Sequence, residues 1–237
     1  MYSNSDGQIN VLLDTADSLF EGAALIGTAG GEINFTMSDL SLWRMLGDSS
    51  VTALAVSSGA IVDMTQYDDY QQLEISELSG SGGEFIMKTD LASETDGDKL
   101  YVTDAAAGTS QFVQVNDVSI INGAVVTGDK KLLLITDASK NVEFIGKNLN
   151  NGGLWDITPT LENGLAVGGS EEEWYLTKLR KEANNDTSVL LGAADNAYAM
   201  WRNTNDTMRQ RLGDLRHNKI NEGDGLWTRY TCLLYTS

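Results

Sequence analysis

The chain has 237 residues, and 41% of them are hydrophobic, which is enough to bury the core of one or two domains. Its 16 basic and 34 acidic side chains give a net charge of -18, so it lacks the basic surface that nucleic-acid binding needs. A single cysteine, Cys232, excludes a disulfide framework and a metal cluster built on thiolates.

The acidity is concentrated in residues 1–170, which hold 7 basic and 24 acidic side chains. Acidity of this kind keeps a secreted or surface protein in solution. Residues 1–10 have neither the basic segment nor the apolar run of a signal peptide, and no stretch is long and apolar enough for a membrane-spanning helix.

Short extended segments follow one another from residue 8 to about residue 176, each mixing β-branched or large apolar residues with polar ones. Clusters of Gly, Asn, Asp and Ser separate them, and no helices of about 12 residues alternate with them, which argues against an α/β sheet. The predicted strands are Ile9–Leu13, Leu19–Ile26, Glu32–Met37, Ser50–Val56, Ala60–Met64, Gln72–Ile75, Glu84–Thr89, Lys99–Thr103, Ser110–Val115, Leu132–Thr136 and Val142–Ile145.

This dense spacing favours a solenoid whose coils stack into a parallel β-helix, with a β-sandwich as the alternative. Three large apolar residues, Trp155, Trp174 and Tyr175, come just before the polar segment Arg180 to Asp186. A stacked solenoid needs its last hydrophobic coil covered at that point, so we predict that these three form the core of a cap.

A helical pattern runs from Asp186 to Arg216, with Asp186 and Thr187 as suitable cap residues. A charged stripe at intervals of seven gives the predicted helix one apolar and one charged side. Because guanidinium groups are costly in lipid, we expect a water-filled, charge-lined environment for it. The apolar positions are Leu190, Ala194, Ala197, Trp201, Met208, Leu212 and Leu215, and the charged stripe is Asp195, Arg202, Arg209 and Arg216.

Each residue or motif that could act in catalysis or ligand binding is better explained by a structural role. We therefore predict no catalytic, cofactor-binding or metal site. His217, the only histidine, has no Gly-x-Ser-x-Gly elbow to accompany it and suits a helix C-terminus. The run Gly80-Ser81-Gly82-Gly83 lacks the lysine of a phosphate loop, and Asp96-Gly97-Asp98 lacks the remaining ligands of a calcium loop, so both are interpreted as turns. The acidic run Glu171-Glu172-Glu173 is interpreted as solvated.

Three runs near the C-terminus occur in a specific order. They are Leu191-Gly192-Ala193-Ala194-Asp195-Asn196-Ala197-Tyr198-Ala199-Met200-Trp201-Arg202, then Asp206-Thr207-Met208-Arg209-Gln210-Arg211-Leu212-Gly213-Asp214-Leu215-Arg216, and finally Gly225-Leu226-Trp227-Thr228-Arg229. Together they resemble the junction of a type V autotransporter. In that family a linker helix joins a secreted passenger to a C-terminal outer-membrane β-barrel and threads its pore. The resemblance implies barrel-lumen contacts for Trp201, Arg202, Arg209, Arg211, Gly213, Asp214, Leu215 and Arg216.

The resemblance also implies an all-β fold, namely a right-handed, pertactin-like parallel β-helix, then a long α-helix and the first, truncated strand of the barrel. The junction, or autochaperone, segment is recognised by Gly83-Glu84-Phe85, Asp98-Lys99-Leu100, Phe112, Leu154-Trp155-Asp156 and Trp174-Tyr175-Leu176. The implied divisions are passenger coils at 1–78, autochaperone at 79–179, linker helix at 180–217, barrel strand at 222–229 and, at 230–237, a non-native tail that resembles a translated sequencing adapter. We therefore expect a fragment of a longer chain.

Some autotransporters cleave themselves at an Asn-Asn pair on the linker helix. In this chain Asp206-Thr207 stand where that pair would be, and Asn203 and Asn205 are offset from it. An intact helix would restrain either asparagine from cyclising, so the favoured interpretation is that Asn203, Asn205 and Asp206 hydrogen-bond within the barrel lumen.

The implied function is the stalk, autochaperone and pore linker of an autotransporter in a Gram-negative outer membrane, with an adhesin-like passenger outside the cell and no enzymatic activity. Its implied partners are its own barrel, the outer membrane with its barrel-assembly machinery, and a host surface ligand, without nucleic acid or cofactor. One alternative is a stalk that carries an enzyme, a protease or esterase, upstream. Another is a free-standing acidic solenoid that binds carbohydrate through Trp43, Tyr67, Tyr70 or Trp155.

Overall fold

Strands form most of the regular structure among the residues that the computed structural model describes, which are 1–121, 130–149, 155–184, 189–190 and 192–205. The chain divides into two units, Met1–Asn184 and Asn185–Ser237. The first unit holds the strands β1 (Tyr2–Ser3), β2 (Gln8–Leu13), β3 (Leu19–Glu21), β4 (Leu25–Ile26), β5 (Glu32–Met37), β6 (Leu42–Arg44), β7 (Ser49–Val56), β8 (Ile61–Asp63), β9 (Gln72–Ser79), β10 (Ser81–Thr89), β11 (Lys99–Ala105), β12 (Thr109–Asp117), β13 (Leu132–Asp137), β14 (Val142–Gly146), β15 (Trp155–Asn163) and β16 (Glu173–Ala183), with the short helices α1 (Val118–Ile121) and α2 (Gly164–Val167).

Successive coils of the chain contribute strands in turn to two long sheets. One sheet has the order β15-β16-β13-β11-β9-β7-β5-β2, and the other has the order β14-β12-β10-β8-β6-β3. From β2 to β14 each strand pairs in parallel with the strand one coil away, as in the registers Gln8↔Glu32 and Leu42↔Ile61. The predicted parallel β-helix is therefore confirmed, and the β-sandwich alternative is wrong, because a sandwich would pair its strands antiparallel.

The core lies between the two sheets and is filled by alternate residues of each strand. In β5, Ile33, Phe35 and Met37 are buried, whereas Glu32 before them and Thr36 between Phe35 and Met37 are exposed. The same alternation in every coil places side chains of neighbouring coils above one another. The result is a continuous column of apolar side chains along the stack.

Trp43 belongs to this core, which corrects the expectation that it contacts a saccharide. Its side chain is 0% exposed, its ring stacks on Phe35 with centroids 4.5 Å apart and an interplanar angle of 3°, and its Nε1 donates a hydrogen bond to the carbonyl of Gly22 at 3.0 Å. Because both ring faces and the N–H are used inside the protein, Trp43 has no surface for a ligand. Tyr67 and Tyr70 are exposed, as that alternative requires.

The eleven predicted strands are confirmed with small changes at their ends. The largest difference from the prediction is at Leu19–Ile26, where the chain bends at Gly22 and forms two strands, β3 and β4, instead of one. Residues 180–183, assigned in the sequence to the linker helix, are strand, since they pair with Trp155 to Thr158 in the hairpin. The predicted turn at 150–153, the barrel strand at 222–229 and the tail at 230–237 lie outside the described residues.

Buried polar side chains connect the coils at the corners of the stack. Gln111 accepts a hydrogen bond from the Gly83 N–H at 2.9 Å and donates to the carbonyls of Val56 and Gly80 at 3.2 and 3.0 Å. These bonds span three coils, because Gln111 lies in β12, Gly83 in β10 and Val56 in β7. A buried amide that satisfies backbone groups of several coils fixes their register.

A buried carboxylate connects two coils at another corner. Asp98 accepts hydrogen bonds from the backbone N–H groups of Gln71 at 2.7 Å and Lys88 at 2.5 Å. The loss of solvation on burial raises the pKa of Asp98 from 3.8 to about 6, although these two hydrogen bonds favour the ionised form. Asp96-Gly97-Asp98, interpreted from the sequence as a turn, lies after the turn at 91–93, and Gly97 forms an antiparallel bridge with Thr89. No group of three or more His, Cys, Asp or Glu side chains that could hold a metal ion occurs among the described residues.

Candidate functional site

The candidate site is the end of the coil stack, where the strand direction changes. Strand β16 pairs antiparallel with β13, through Leu176 opposite Leu132 and Tyr175 opposite Leu133, and it pairs antiparallel with β15 on its other side. We call the hairpin of β15, α2 and β16 the cap. An antiparallel hairpin does not continue the coil path, so the cap ends the stack.

Apolar side chains of the cap cover the last coil. Leu176 is fully buried in the common core, and Leu161 and Leu179 pack against it. Trp174 is half-buried and meets the ring of Phe144 edge to face, with centroids 5.7 Å apart and an interplanar angle of 75°. Apolar burial and this aromatic pair hold the cap on the stack.

The connection between the two cap strands has strong local sequence signals. Asn163 is the N-cap of α2, and its side chain accepts a hydrogen bond from the Leu165 N–H at 3.1 Å. Gly168 follows α2 in the left-handed region, with φ of 80°, and the Gly169 N–H donates to the Gly164 carbonyl at 2.7 Å. These caps define where the chain reverses.

The acidic run Glu171-Glu172-Glu173, which ends at the first residue of β16, is bonded to the protein rather than only solvated. Glu173 accepts hydrogen bonds from the Ser170 N–H at 2.7 Å and from the Tyr175 hydroxyl at 3.0 Å. Burial and the hydrogen bond to Glu173 raise the pKa of Tyr175 above its usual value. Glu171 and Glu172 lie 3.4 and 3.5 Å from the Lys140 ammonium at the last corner of the stack.

Strand β15 is the edge strand of its sheet and contains Pro159, the only proline of the chain. Pro159 is buried, and its carbonyl lies so close to Gly146 of β14 that a Cβ on residue 146 would be 2.1 Å from the oxygen. The absence of a side chain at Gly146 is what allows the cap to contact the end of the other sheet. Proline at an edge also offers no N–H to an additional strand.

A cleft of about 410 Å³ lies between the cap and the last coils. Its lining includes the basic side chains of Lys130, Lys131 and Lys178. The Lys130 ammonium is 2.6 Å from a carboxylate oxygen of Glu94, and the Lys131 ammonium donates to the carbonyl of Val167. The Lys131 bond therefore connects the start of β13 to the cap, and the Lys130 pair connects it to the segment between β10 and β11, so both lysines have structural roles.

In the second unit, residues 189–190 and 192–205 are helical, in agreement with that part of the predicted helix. The rings of Tyr198 and Trp201 lie 6.0 Å apart on it, and the Thr204 hydroxyl donates to the Met200 carbonyl at 2.9 Å. The Thr204 hydroxyl is thus satisfied within the helix, so a polar residue is accommodated between the apolar positions Trp201 and Met208 of the predicted pattern. Among the described residues, no helix combines the length and the apolar character needed to cross a bilayer.

The predicted site residues fall in two places. Trp174 and Tyr175 lie in β16, and the backbone of Trp155 pairs with Ala183 at the other end of the hairpin. Trp201 and Arg202 are exposed on the helix, and Asn203 and Asn205 are helical residues beside them. The predicted residues Asp206, Arg209, Arg211, Gly213, Asp214, Leu215 and Arg216, with His217 and Cys232, lie outside the described residues.

Sequence reasoning missed the contact of Gly146 with Pro159 and did not connect Phe144 with Trp174. The signals were present in part. The Asn-Gly-Leu-Ala-Val-Gly run at 163–168 indicates a capped helical turn, and the large apolar residues at 174–176 suit a strand. The contact between Gly146 and Pro159 could not be found, because it depends on the tertiary fold.

The family model described as pertactin matches residues 51–178, more than half of the 237 residues. The chain belongs to the pertactin family. The matched part of this pertactin-family chain runs from β7 to the first residues of β16 and therefore includes the late coils and most of the cap.

Two autotransporters are similar to it over longer alignments. The chain is 27% identical over 246 residues to "Autotransporter CRAC" of Citrobacter rodentium (strain ICC168), with 90% of this chain and 14% of the relative covered. It is 29% identical over 174 residues to "Autotransporter adhesin/invasin TibA" of Escherichia coli O78:H11 (strain H10407 / ETEC), with 68% of this chain and 16% of the relative covered. The chain thus spans about a sixth of the length of these relatives.

The pertactin family and both relatives identify this chain as part of an autotransporter passenger. Autotransporters are outer-membrane proteins with surface-exposed passengers. The localisation expected from the sequence, outer membrane and cell surface, is therefore confirmed.

Proposed function

We propose that this chain is the stalk of a self-secreting autotransporter and that its cap is the autochaperone, which folds first outside the cell and templates the coils. The observation that carries the proposal is the antiparallel pairing of β16 with β13 at the end of an otherwise parallel stack. A hairpin is built from local contacts and forms without waiting for a distant strand. Each coil added to it has a preformed edge to pair with.

The helical residues 189–190 and 192–205 begin the pore linker, and we propose that they enter the lumen of a C-terminal β-barrel, with the solenoid right-handed and outside. Arg202, exposed on this helix, supports the proposal because a charged side chain suits a water-filled lumen and not lipid. The same applies to Arg209, Arg211 and Arg216 if the helical pattern continues. The implied partners are the chain's own barrel, the outer membrane and its barrel-assembly machinery.

The passenger is proposed to act as an adhesin, with a ligand on a host surface, and to do so by display rather than by catalysis. One of the two similar autotransporters is named an adhesin/invasin, which supports this choice over an enzymatic passenger.

The autochaperone role is tested by surface display of the full-length autotransporter. Trp155→Ala with Trp174→Ala removes two large cap side chains, and we expect slower appearance of the passenger at the cell surface, followed by protease accessibility after induction. Replacing Trp174 by Phe instead of Ala keeps an aromatic ring beside Phe144, so the passenger should then appear at the surface at close to the rate expected without the Trp174 change.

A matched control is Tyr67→Ala, which removes an exposed aromatic ring from the loop between β8 and β9, well before the last coils and the cap. Display of this control should proceed at the wild-type rate. Unchanged display of the double variant would show that folding of the cap does not drive export.

A further inference from the structure

The two long sheets differ in the chemistry of their outer faces. On the eight-stranded sheet the outward positions are mainly polar, and they include Gln8, Asn10, Glu32, Asn34, Glu74 and Glu77. Its apolar members are isolated, since Leu12 lies opposite Thr36, and Tyr101 lies opposite Glu74 and Thr136. This face has the composition expected of a solvated surface.

The six-stranded sheet carries an apolar row on its outer face. The residues that pair in register from the first coil to the last are Leu19, Leu42, Ile61, Glu84, Phe112 and Ile145. The residue after each of the first five points inward, as Trp43, Val62 and Phe85 show by being buried. Because side chains alternate along a strand, the row points outward, and we call it the outer row.

The outer row is open to solvent. Leu19 and Ile145 at its ends are 49% and 38% exposed, and Leu42, Ile61 and Phe112 between them are partly exposed. Five steps between strands of about 4.8 Å each give a length of about 24 Å. A helix of about 16 residues has the same length. An aligned apolar row of this kind on a protein surface indicates an interaction site.

Glu84, the single acidic residue in the row, is paired with a basic side chain. One carboxylate oxygen of Glu84 accepts from the Lys147 ammonium and the other accepts from the side-chain amide of Gln114. Lys147 also lies over the ring of Phe112, 5.3 Å from its centroid. These contacts cover Glu84, which is only 8% exposed, and so keep the row continuous for an apolar partner.

Charge determines which partner fits. Exposed carboxylates stand beside the row, with Asp17 two residues before Leu19, Asp39 three before Leu42 and Glu143 two before Ile145. Residues 1–184 hold 10 basic and 28 acidic side chains, which is a net charge of -18. Association of two copies would therefore bring together two units that each carry this negative charge. Like charges of this size oppose self-association, whereas a cationic partner is attracted.

We propose that the outer row binds a cationic amphipathic helix, whose apolar face covers Leu42, Ile61 and Phe112 and whose basic side chains face the flanking carboxylates. In this mode of recognition an amphipathic helix binds through apolar side chains that lie about one helical turn apart. It is independent of export, so the display experiment and the binding experiment test different properties.

The test uses the full chain and a dye-labelled helical peptide of about 18 residues made of Leu and Lys, followed by fluorescence anisotropy. The same peptide with Glu in place of Lys is the control ligand. We expect binding of the Lys peptide, weaker binding at high salt, and none of the Glu peptide. Leu42→Thr with Ile61→Thr should weaken binding roughly tenfold or more, because two apolar anchors are lost.

The matched control is Leu12→Thr with Tyr101→Thr, which removes two exposed apolar side chains from the polar sheet and should leave affinity unchanged. Ile145→Lys, at an exposed position, adds a repelling charge to the row without removing core packing and should also weaken binding. Circular dichroism melting checks that each variant is folded.

Equal affinity of the outer-row variants and the wild type would overturn the proposal, since binding would then be general attraction to an acidic protein. Absence of binding would overturn it as well. A wild-type dimer in sedimentation velocity that is lost in Leu42→Thr with Ile61→Thr would assign the row to a second copy instead.

Discussion

The ring of Trp174 meets the ring of Phe144 edge to face, with centroids 5.7 Å apart. Phe144 lies in β14, the last strand of the six-stranded sheet, and Trp174 lies in β16 of the cap. This contact therefore joins the parallel coils to the antiparallel hairpin, and with it the two sheets at their common end. Its removal tests how much of the stability of the stack depends on the cap.

Trp174→Ala should lower the free energy of unfolding by about 3 kcal/mol, at the low end for loss of a large aromatic side chain because Trp174 is only half-buried. Urea unfolding of the full chain followed by circular dichroism measures the loss. Trp174→Phe should recover most of it. An Ala variant as stable as the wild type would mean that the cap adds little to the stack.

Gly146→Ala tests the contact between the cap and the end of the six-stranded sheet. The new methyl group would lie 2.1 Å from the Pro159 carbonyl, so the strands must separate, and we expect a loss of about 2 kcal/mol or more. Thermal unfolding measures the change. Gly192→Ala, where a Cβ meets nothing within 4 Å, should leave the unfolding of the solenoid unchanged and slightly raise helicity.

The raised pKa of Asp98 predicts that its contribution to stability falls as the pH rises. Its pKa is about 6 in the folded protein and 3.8 ordinarily, so the folded state holds its proton over a range where the unfolded state has lost it. The contribution of Asp98 is greatest below about pH 4 and is lost as the pH rises through 6, by roughly 2 to 3 kcal/mol. Urea unfolding at pH 4, 5, 6 and 7 measures this change.

Asp98→Asn removes the titrating group and should flatten this part of the profile, while the contribution of all other carboxylates stays in both proteins. The informative quantity is the difference between wild type and variant at each pH. A difference that does not change between pH 4 and pH 7 would contradict the raised pKa.

The pore-linker proposal predicts an effect of arginine removal in the full-length autotransporter. Arg202→Ala with Arg209→Ala should give leakier pores and a less stable barrel, because the paired charges in a confined lumen would be lost. Single-channel conductance and heat-dependent electrophoretic mobility measure the two effects. Arg180→Ala, an exposed arginine of β16, is the control, and unaltered conductance of the double variant would contradict the proposal.

The coils could be predicted from the sequence because their alternation is local. Glu32–Met37 has the same bounds in the sequence prediction and in the structure. Strand β6, Leu42–Arg44, was missed because three residues are too few to show a period. Trp43 in that strand was then taken as a surface aromatic, although it is buried between coils.

The cap could be predicted only in part. The large apolar residues Trp174 and Tyr175 indicated covering of the last coil, but no strand was predicted at 155–163, and the polar segment Arg180 to Asp186 was assigned to the linker helix. In the hairpin these charged residues are tolerated because that part of β16 is largely exposed. Antiparallel pairing across a chain reversal leaves no periodic signal that distinguishes it from another coil.

Pro159 has a consequence for the behaviour of many molecules together. Stacked strands readily extend into fibres, since the last strand of one molecule can hydrogen-bond the first strand of the next. In this chain Pro159 leaves the edge strand β15 without an amide hydrogen at its middle, and the Pro159 carbonyl oxygen lies against Gly146. A further strand could therefore not form a complete set of hydrogen bonds with β15. Extension of the stack by a further strand is therefore disfavoured at this end.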